Sequence, residues 1–373
     1  MAEIESTGRR AGPIVVYAST GFTGRLIAAE LADRGADLIL AGRDRAKLEA
    51  LREEIRGSAR VVAAPLDDPS GLRDLLADAA VVISCAGPFT LHGEPLIEAA
   101  AATGTHYLDT TGEQPFIRAA FDRLGDAAAG SGAALVSGMG FDYAPGDMLA
   151  ALTADGMGAL EEMTIAYSMR GFTATRGTTA SALEMIRGGD VTWKDGAHRA
   201  APTHVGAGSF DFPSPIGARR VGRYPAGEQI TVPRHVEVAR LRTVIDTRSL
   251  IPLPLGPLGA PVLTTAGLLM RTALRPALAK LIARLPEGPS ESSRMAVRYT
   301  VVCDAEGEGG RRRGVLRGSD VYGSTAVILA EAATRMATPG YAGSGALAPA
   351  QAFEPDSFTR ALEPFGISVE IEG

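Results

Sequence analysis

An apolar, β-branched run at residues 14–18 passes straight into Ser19-Thr20-Gly21-Phe22-Thr23-Gly24 and then into a helical pattern carried by Leu26, Ile27 and Leu31 and closed by Gly35. A strand that enters a helix through a glycine turn leaves few folds open, because a neighbouring parallel strand is reached only by a long crossover, usually that helix. The same alternation recurs down the chain. Apolar runs at 38–41, 61–64, 81–85, 106–109 and 133–137 are separated by helical patterns. One of these has Leu48, Leu51 and Ile55 on one face, the next has Ser70 as its candidate cap, and another is bracketed by Pro95 and Gly104. Six strands with intervening helices predict an α/β fold, a Rossmann-type doubly wound parallel sheet over residues 13–148, preceded by a polar tail at 1–12.

The chain has 373 residues, enough for two domains that each bury a core. After Gly156 the texture changes to longer alternating segments at 163–169, 230–232 and 236–244, which read as antiparallel strands. A hairpin is expected between 295–303 and 314–318, turned at 306–310, with Arg311, Arg312 and Arg313 as its solvated shoulder. Helical patterns at 178–186, 326–336 and 356–362 make this second region α+β. It is assigned to residues 149–340, as a substrate and dimerisation domain, and 341–373 is expected to pack back on the body.

Charge excludes one class of partner. With 37 Lys and Arg against 43 Asp and Glu the net charge is −6, and no basic stripe interrupts the balance, so a nucleic-acid partner is not expected. Cys85 and Cys303 both sit in apolar runs, which leaves no disulfide framework and no metal cluster, and the N-terminus carries no apolar leader. The expected location is the cytoplasm. From 249 to 270 there are 22 uncharged residues in a row, a length that raises a membrane span. Four prolines and several glycines within them would strand backbone groups in hydrocarbon. Residues 250–285 are therefore expected to form an apolar flap over a substrate or a homodimer contact, with membrane contact at most peripheral.

The glycine turn carries the clearest chemistry. Backbone N–H groups at a helix N-terminus face an anion, and glycines let the chain approach a dinucleotide's pyrophosphate, so Ser19, Thr20, Gly21, Phe22, Thr23 and Gly24 are the expected cradle. The first position of the Gly-x-x-Gly-x-x-Gly spacing is Ala18, whose methyl fits if its φ is negative. Arg43 stands 19 residues past Gly24, at the end of the second strand, where a carboxylate would hold an unphosphorylated ribose. An arginine there receives a 2′-phosphate, which predicts NADP(H); Asp44, one residue later, is free to cap the next helix. Cys85, Ala86, Gly87 and Pro88 end the fourth strand with small residues and leave room for the nicotinamide ribose. Strands five and six end in Tyr107-Leu108-Asp109-Thr110-Thr111-Gly112-Glu113 and Gly140-Phe141-Asp142-Tyr143-Ala144-Pro145-Gly146-Asp147. Of these, Tyr143, with Asp142 beside it, and then Tyr107 are the candidate proton donors, since a phenol stays protonated at neutral pH.

These residues together resemble the saccharopine dehydrogenase-like oxidoreductases. The resemblance rests on Ser19-Thr20-Gly21-Phe22-Thr23-Gly24, Ala41-Gly42-Arg43, Gly87-Pro88-Phe89, Gly104-Thr105-His106-Tyr107 with Asp109 and Thr111-Gly112-Glu113, and Gly140-Phe141-Asp142 with Pro145 and Asp147. Further on, Arg176-Gly177-Thr178 with Ser181, Gly288-Pro289-Ser290-Glu291, Tyr322 with Thr325-Ala326, and Pro349-Ala350 are similar to the trans-acting enoyl reductase branch. That branch implies NADPH-dependent reduction of a carbon-carbon double bond on a lipid or polyketide acyl chain, done for a partner synthase that lacks its own reductase. Two alternatives stay open. One is an imine or carbonyl reductase of saccharopine dehydrogenase type, with Arg170, Arg176 and Arg187 as carboxylate clamps. The other is a non-catalytic NADPH-binding scaffold.

Overall fold

Seven parallel strands form the first sheet of the computed structural model, which describes residues 12–185, 189–201, 208–250, 284 and 286–372. In spatial order they are β3 (Ala59–Ala63), β2 (Leu38–Gly42), β1 (Ile14–Tyr17), β4 (Val81–Ser84), β5 (His106–Asp109), β6 (Ala134–Val136) and β15 (Gly345–Ala346). The order 3-2-1-4-5-6 reverses direction at β1, so a crevice opens between the carboxyl ends of β1 and β4. Register aligns that edge: Tyr17 faces Ala41 on one side and Ser84 on the other. The expected doubly wound sheet is thus present, its six predicted strands each within two residues of the sequence reading, and β15 adds a seventh that the sequence did not announce.

Local chemistry explains the crossovers. Helix α1 (Phe22–Asp33) buries Ile27, Ala28 and Leu31; α2 (Arg45–Glu54) starts at Asp44, whose side chain accepts from Lys47 N, and buries Leu48 and Leu51. Helix α3 (Pro69–Leu76) is capped by Asp68, which accepts from Gly71 N, and not by Ser70. Pro69 explains the shift: proline suits the first helical position, which moves the cap back to residue 68. The short α4 (Phe89–His92) leads into α5 (Glu94–Thr103), which ends on Gly104 at φ +72°, a left-handed terminus that favours glycine. Helices α6 (Gln114–Ala119) and α7 (Gly125–Ser131) return the chain to β6.

A nine-stranded sheet forms the second layer. Its main path runs β10 (Gly208–Phe212), β11 (Gly217–Arg223), β12 (Val238–Asp246), β7 (Leu160–Arg170), β13 (Arg298–Gly307), β14 (Gly310–Ser319) and β16 (Ser368–Glu372), and the hairpin β8 (Val191–Lys194) and β9 (Ala197–Ala200) joins at β12. All of these pairs are antiparallel except β12 with β7. The strand expected at 230–232 is instead the end of helix α10 (Glu228–Thr231) and a following turn. Its three residues, Ile230, Thr231 and Val232, are buried for tertiary reasons, and so short a run cannot declare its period. The predicted hairpin is real but starts at Arg298, because Glu291–Ala296 is a helix capped by Ser290. Of its arginine shoulder, Arg311 pairs with Glu306, Arg313 grips both oxygens of Asp304, and Arg312 donates to the Thr153 carbonyl.

Two helices cross between the layers. Helix α8 (Ala144–Ala154) leaves the β6 edge and packs on β13 and β14, while Val321–Ala337 returns from the second sheet to lie on α1, β4 and β5. Helix Val321–Ala337 is buried on most sides, and Arg34 ties its Glu331 to Glu30 of α1 at 2.8 and 2.9 Å. Each unit therefore covers part of the other's core, and the cleft between them is set by these two helices.

Candidate active site

At the start of α1, Gly21 is the N-cap at φ −75°, with no side chain closing the first turn. Orphan N–H groups and the positive helix end face outward there. The two glycines serve different ends. A Cβ at Gly24 would lie 2.6 Å from the Ala18 carbonyl oxygen and 2.8 Å from Ser19 Cα, so Gly24 is fixed by the packing of helix on strand. A Cβ at Gly21 would meet nothing nearer than 3.4 Å, so the fold itself tolerates a side chain there. What glycine leaves open at residue 21 is the approach of a ligand.

Ala18 corrects the sequence reading. Its φ is +58°, in the left-handed region, so the position demands the conformation a glycine takes freely, and alanine holds it at a cost of about 1 kcal/mol or more. Ser19 is buried, with its backbone N–H and hydroxyl both directed at the Ala41 carbonyl, and Phe22 turns its ring onto Tyr322, 5.2 Å away edge to face. Thr20, Gly21 and Thr23 keep some surface in the turn.

Arg43 is exposed at the end of β2, and among the described residues no carboxylate pairs with it. Asp44 is spent as the α2 cap. At the end of β4, Cys85 is held by its N–H to the Tyr17 carbonyl, and burial pushes its thiol up to about 12, so it packs as a small apolar group and not as a nucleophile. Gly87 precedes Pro88 through a cis peptide, and a Cβ on it would stand 3.2 Å from Ser181 Oγ. Helix α9 (Arg176–Met185), from the second unit, thus reaches the turn at the end of β4.

The four carboxylates grouped by sequence divide sharply once placed. Asp109 takes Thr111 N and Gly138 N on one oxygen and so joins the β5 and β6 loops. Glu113 takes Phe89 N and Thr90 N at 2.8 Å each and locks the Gly87-Pro88-Phe89 turn. Asp147 is buried, accepting Ala350 N at 2.8 Å and facing His235 Nε2 at 3.1 Å. Only Asp142 remains partly exposed in the cleft, its carboxyl pushed up to about 6 by partial withdrawal from water.

The phenols divide likewise. Tyr107 is fully buried in β5, facing the core formed with Val15, Tyr17 and Leu135. Tyr143 is 1% exposed and its hydroxyl donates to the Gly112 carbonyl at 2.5 Å. Around Tyr143 the structure gathers residues that no sequence motif announced: Tyr167 of β7, Tyr224 just after β11, and Glu228 of α10. Tyr167 donates its hydroxyl to Glu228, whose other oxygen is buried without a partner, and burial holds this carboxyl well above the usual range. Gly146 of α8 sits against both groups, where a Cβ would collide with them. These residues come from four separate elements, which is why spacing could not reveal them.

The second-unit motifs gather beside the glycine turn and the β4 end. Tyr322 OH accepts Thr175 N at 2.8 Å and lies 3.2 Å from Thr178 Oγ1, while Thr325 Oγ1 accepts Phe141 N at 3.1 Å. Gly288 packs against the Phe22 ring so closely that a Cβ would overlap it. Arg176 faces Glu287 at 3.4 Å, Arg170 lies opposite Arg298 across the strand pair, and Arg187 is outside the described residues, so the three arginines do not converge into a clamp among the described residues.

Residues 14–136 match the family described as the saccharopine dehydrogenase NADP binding domain, over the same strands and turn that build the crevice. That match, over about a third of the chain, supports NADP(H) as the cofactor. A Mycobacterium tuberculosis relative is 39% identical over 184 residues, 46% of this chain and 44% of the relative. The trans-acting enoyl reductase of Mycobacterium ulcerans is 35% identical over 195 residues, 49% of this chain and 46% of that protein. The matched stretch therefore spans under half the length of these curated relatives. The apo saccharopine dehydrogenase (L-Glu forming) of Saccharomyces cerevisiae superposes with a TM-score of 0.61 at 15% identity, covering 97% of this chain and all of that one, a likeness of fold. The NADP-binding domain and the second mixed sheet thus occur together in that neighbour too.

Proposed function

We propose that the protein is an NADPH-dependent reductase of a carbon-carbon double bond on a lipid or polyketide acyl chain, acting for a partner synthase. The observation that carries this reading is the character of the cleft beside the NADP-binding crevice. The described residues that gather there, Phe172, Tyr322, Thr178 and Ser181, are aromatic or hydroxylic, and of the arginines among the described residues Arg176 pairs with Glu287 and Arg223 with Asp190. A dicarboxylic amino-acid substrate would need free guanidinium groups in a fork toward it. The name borne by the Mycobacterium ulcerans relative supports the same choice.

The cofactor cradle in this reading is Thr20 to Gly24 with Arg43 on the 2′-phosphate and Ala86 to Pro88 beside the nicotinamide. Bound there, the dinucleotide supplies a hydride. The chain's own part is to orient the acceptor carbon, exclude water, and hold a proton at the Asp142–Tyr143 corner, where β6 ends. Of the segment 250–285, read as a flap for an acyl chain, residues 251–283 and 285 lie outside the described residues. No helix among the described residues is long and apolar enough to cross a membrane.

Loss of NADPH absorbance is measured across enoyl thioesters, cyclic imines and ketones. Fastest turnover on the enoyl thioesters is expected. Preference for an imine or ketone transfers the protein to the saccharopine dehydrogenase type of chemistry, and tight NADPH binding with no oxidation on any of them makes it a scaffold.

A further inference from the structure

Three phenols meet where the two units join, and their hydroxyls are committed differently. Tyr143 gives its proton to the Gly112 carbonyl, and Tyr167 gives its own to Glu228. Both side chains are 1% exposed. Tyr224 is partly exposed, and its hydroxyl is hydrogen-bonded to that of Tyr143, with no carbonyl or carboxylate acceptor among the described residues. Its ring stands edge-on to Tyr167 at 5.4 Å and tilted to Tyr143 at 6.1 Å. The backbone is pinned: Tyr224 N donates to the Thr243 carbonyl at 2.9 Å, and its own carbonyl accepts Ala226 N at 2.8 Å and Thr243 Oγ1 at 2.6 Å. The loop it begins is seated on the cofactor unit, since Gln114 Nε2 donates to the Ala226 carbonyl at 2.7 Å. A phenol fixed in this way, with its ring packed and its hydroxyl tied only to another hydroxyl, is preorganised to donate.

We propose that Tyr224 is the catalytic residue that protonates the reduced substrate, and that Asp142, facing it from the β6 edge, returns the proton to the phenol. This deepens the reductase reading and rests on it. Hydride arriving at the β-carbon drives the double-bond electron pair onto the α-carbon and the thioester oxygen. The Tyr224 O–H bond then breaks as the α-carbon–hydrogen bond forms, and the phenolate left behind takes a proton from the Asp142 carboxyl, which regains one from solvent water. The neighbours suit that traffic. Burial, with Asp142 and Glu228 close by, holds the Tyr224 phenol well above its usual range, so the phenolate is short-lived, and Asp142 at about 6 exchanges protons readily near neutral pH. Glu228 and Tyr167 stand behind as a hydrogen-bonded pair, and Asp190 is drawn aside by Arg223 at 3.7 Å.

The test compares Tyr224→Phe, Tyr143→Phe and Asp142→Asn with the full-length wild type. The probes are a trans-2-dodecenoyl thioester, a cyclic imine and a ketone, with NADPH affinity measured in parallel. Tyr224→Phe is expected to lose roughly 100-fold or more in turnover, the scale of a missing general acid, with NADPH affinity within about twofold of wild type. In deuterated water, wild type labels one face of the α-carbon. Tyr224→Phe, protonated by water, labels both, a change that loss of packing alone does not produce. Asp142→Asn is expected to slow turnover with one-face labelling kept. A Tyr224→Phe protein within about threefold of wild type that still labels one face overturns the proposal, as does a larger loss in Tyr143→Phe, which assigns the proton to Tyr143. A wild type that reduces only the imine or the ketone overturns the enoyl reading alone, and Tyr224 is then judged by turnover on that probe. If wild type reduces none of the three, both readings fall.

Discussion

Replacing Asp109 with asparagine is expected to stabilise the protein at neutral pH, and by an amount that depends on pH. One oxygen of Asp109 accepts Thr111 N at 2.9 Å and Gly138 N at 2.8 Å; the other is buried without a close partner, beside the similarly unpartnered hydroxyls of Tyr107 and Ser137. Burial pushes this carboxyl from the ordinary 3.8 up to about 6. A carboxyl raised in the fold keeps its proton where the unfolded chain has lost it. Its contribution to stability is therefore fully present below about pH 4 and is lost as the pH rises through about 6. At about 1.4 kcal/mol per pH unit, the loss is about 3 kcal/mol when complete. Asparagine keeps the acceptor for both backbone N–H groups, puts a donor toward the hydroxyls and carries no charge to bury. Urea unfolding of wild type and Asp109→Asn at several pH values checks this. The stability gap in favour of the variant should widen by about 2 kcal/mol between about pH 4.5 and about pH 7. A gap that stays constant, or that closes as the pH rises, refutes the assignment of a buried, strained carboxylate.

The cofactor turn supplies three further tests. Arg43→Ala should weaken NADPH binding by about 2 kcal/mol, roughly 30-fold, with NADH affinity nearly unchanged; equal losses in a fluorescence titration would remove Arg43 from the 2′-phosphate. Gly21→Val should abolish dinucleotide binding while thermal unfolding stays near wild type, whereas Gly24→Ala, which meets backbone at 2.6 Å, should lower stability by about 1–3 kcal/mol. Retained affinity in folded Gly21→Val would make that glycine a turn residue only. The segment 250–285 should leave the protein extractable from membranes by salt, and a protein released only by detergent would contradict its reading as a flap.

Sequence alone determined the cofactor unit, because its signals are local. A strand, a glycine turn and an amphipathic helix lie within some twenty residues, and right-handed crossovers leave the order of such units little freedom. The place of Arg43, just past β2, was legible for the same reason: the end of β2 is a fixed number of residues from the turn. What a position must do with its backbone was less legible, and Ala18 at φ +58° is the instance, since the residue type gives no sign of the conformation the turn imposes on it. The roles of the motif acids were decided only by tertiary structure. Asp109, Glu113 and Asp147 look like Asp142 in sequence, yet they clamp loops and helix ends, and Asp142 alone keeps surface in the cleft. Tyr167, Tyr224 and Glu228 lay beyond sequence reading altogether. They are brought to Tyr143 by a mixed sheet whose pairings span tens of residues, and contacts of that range leave no period or spacing along the chain by which a residue could be singled out.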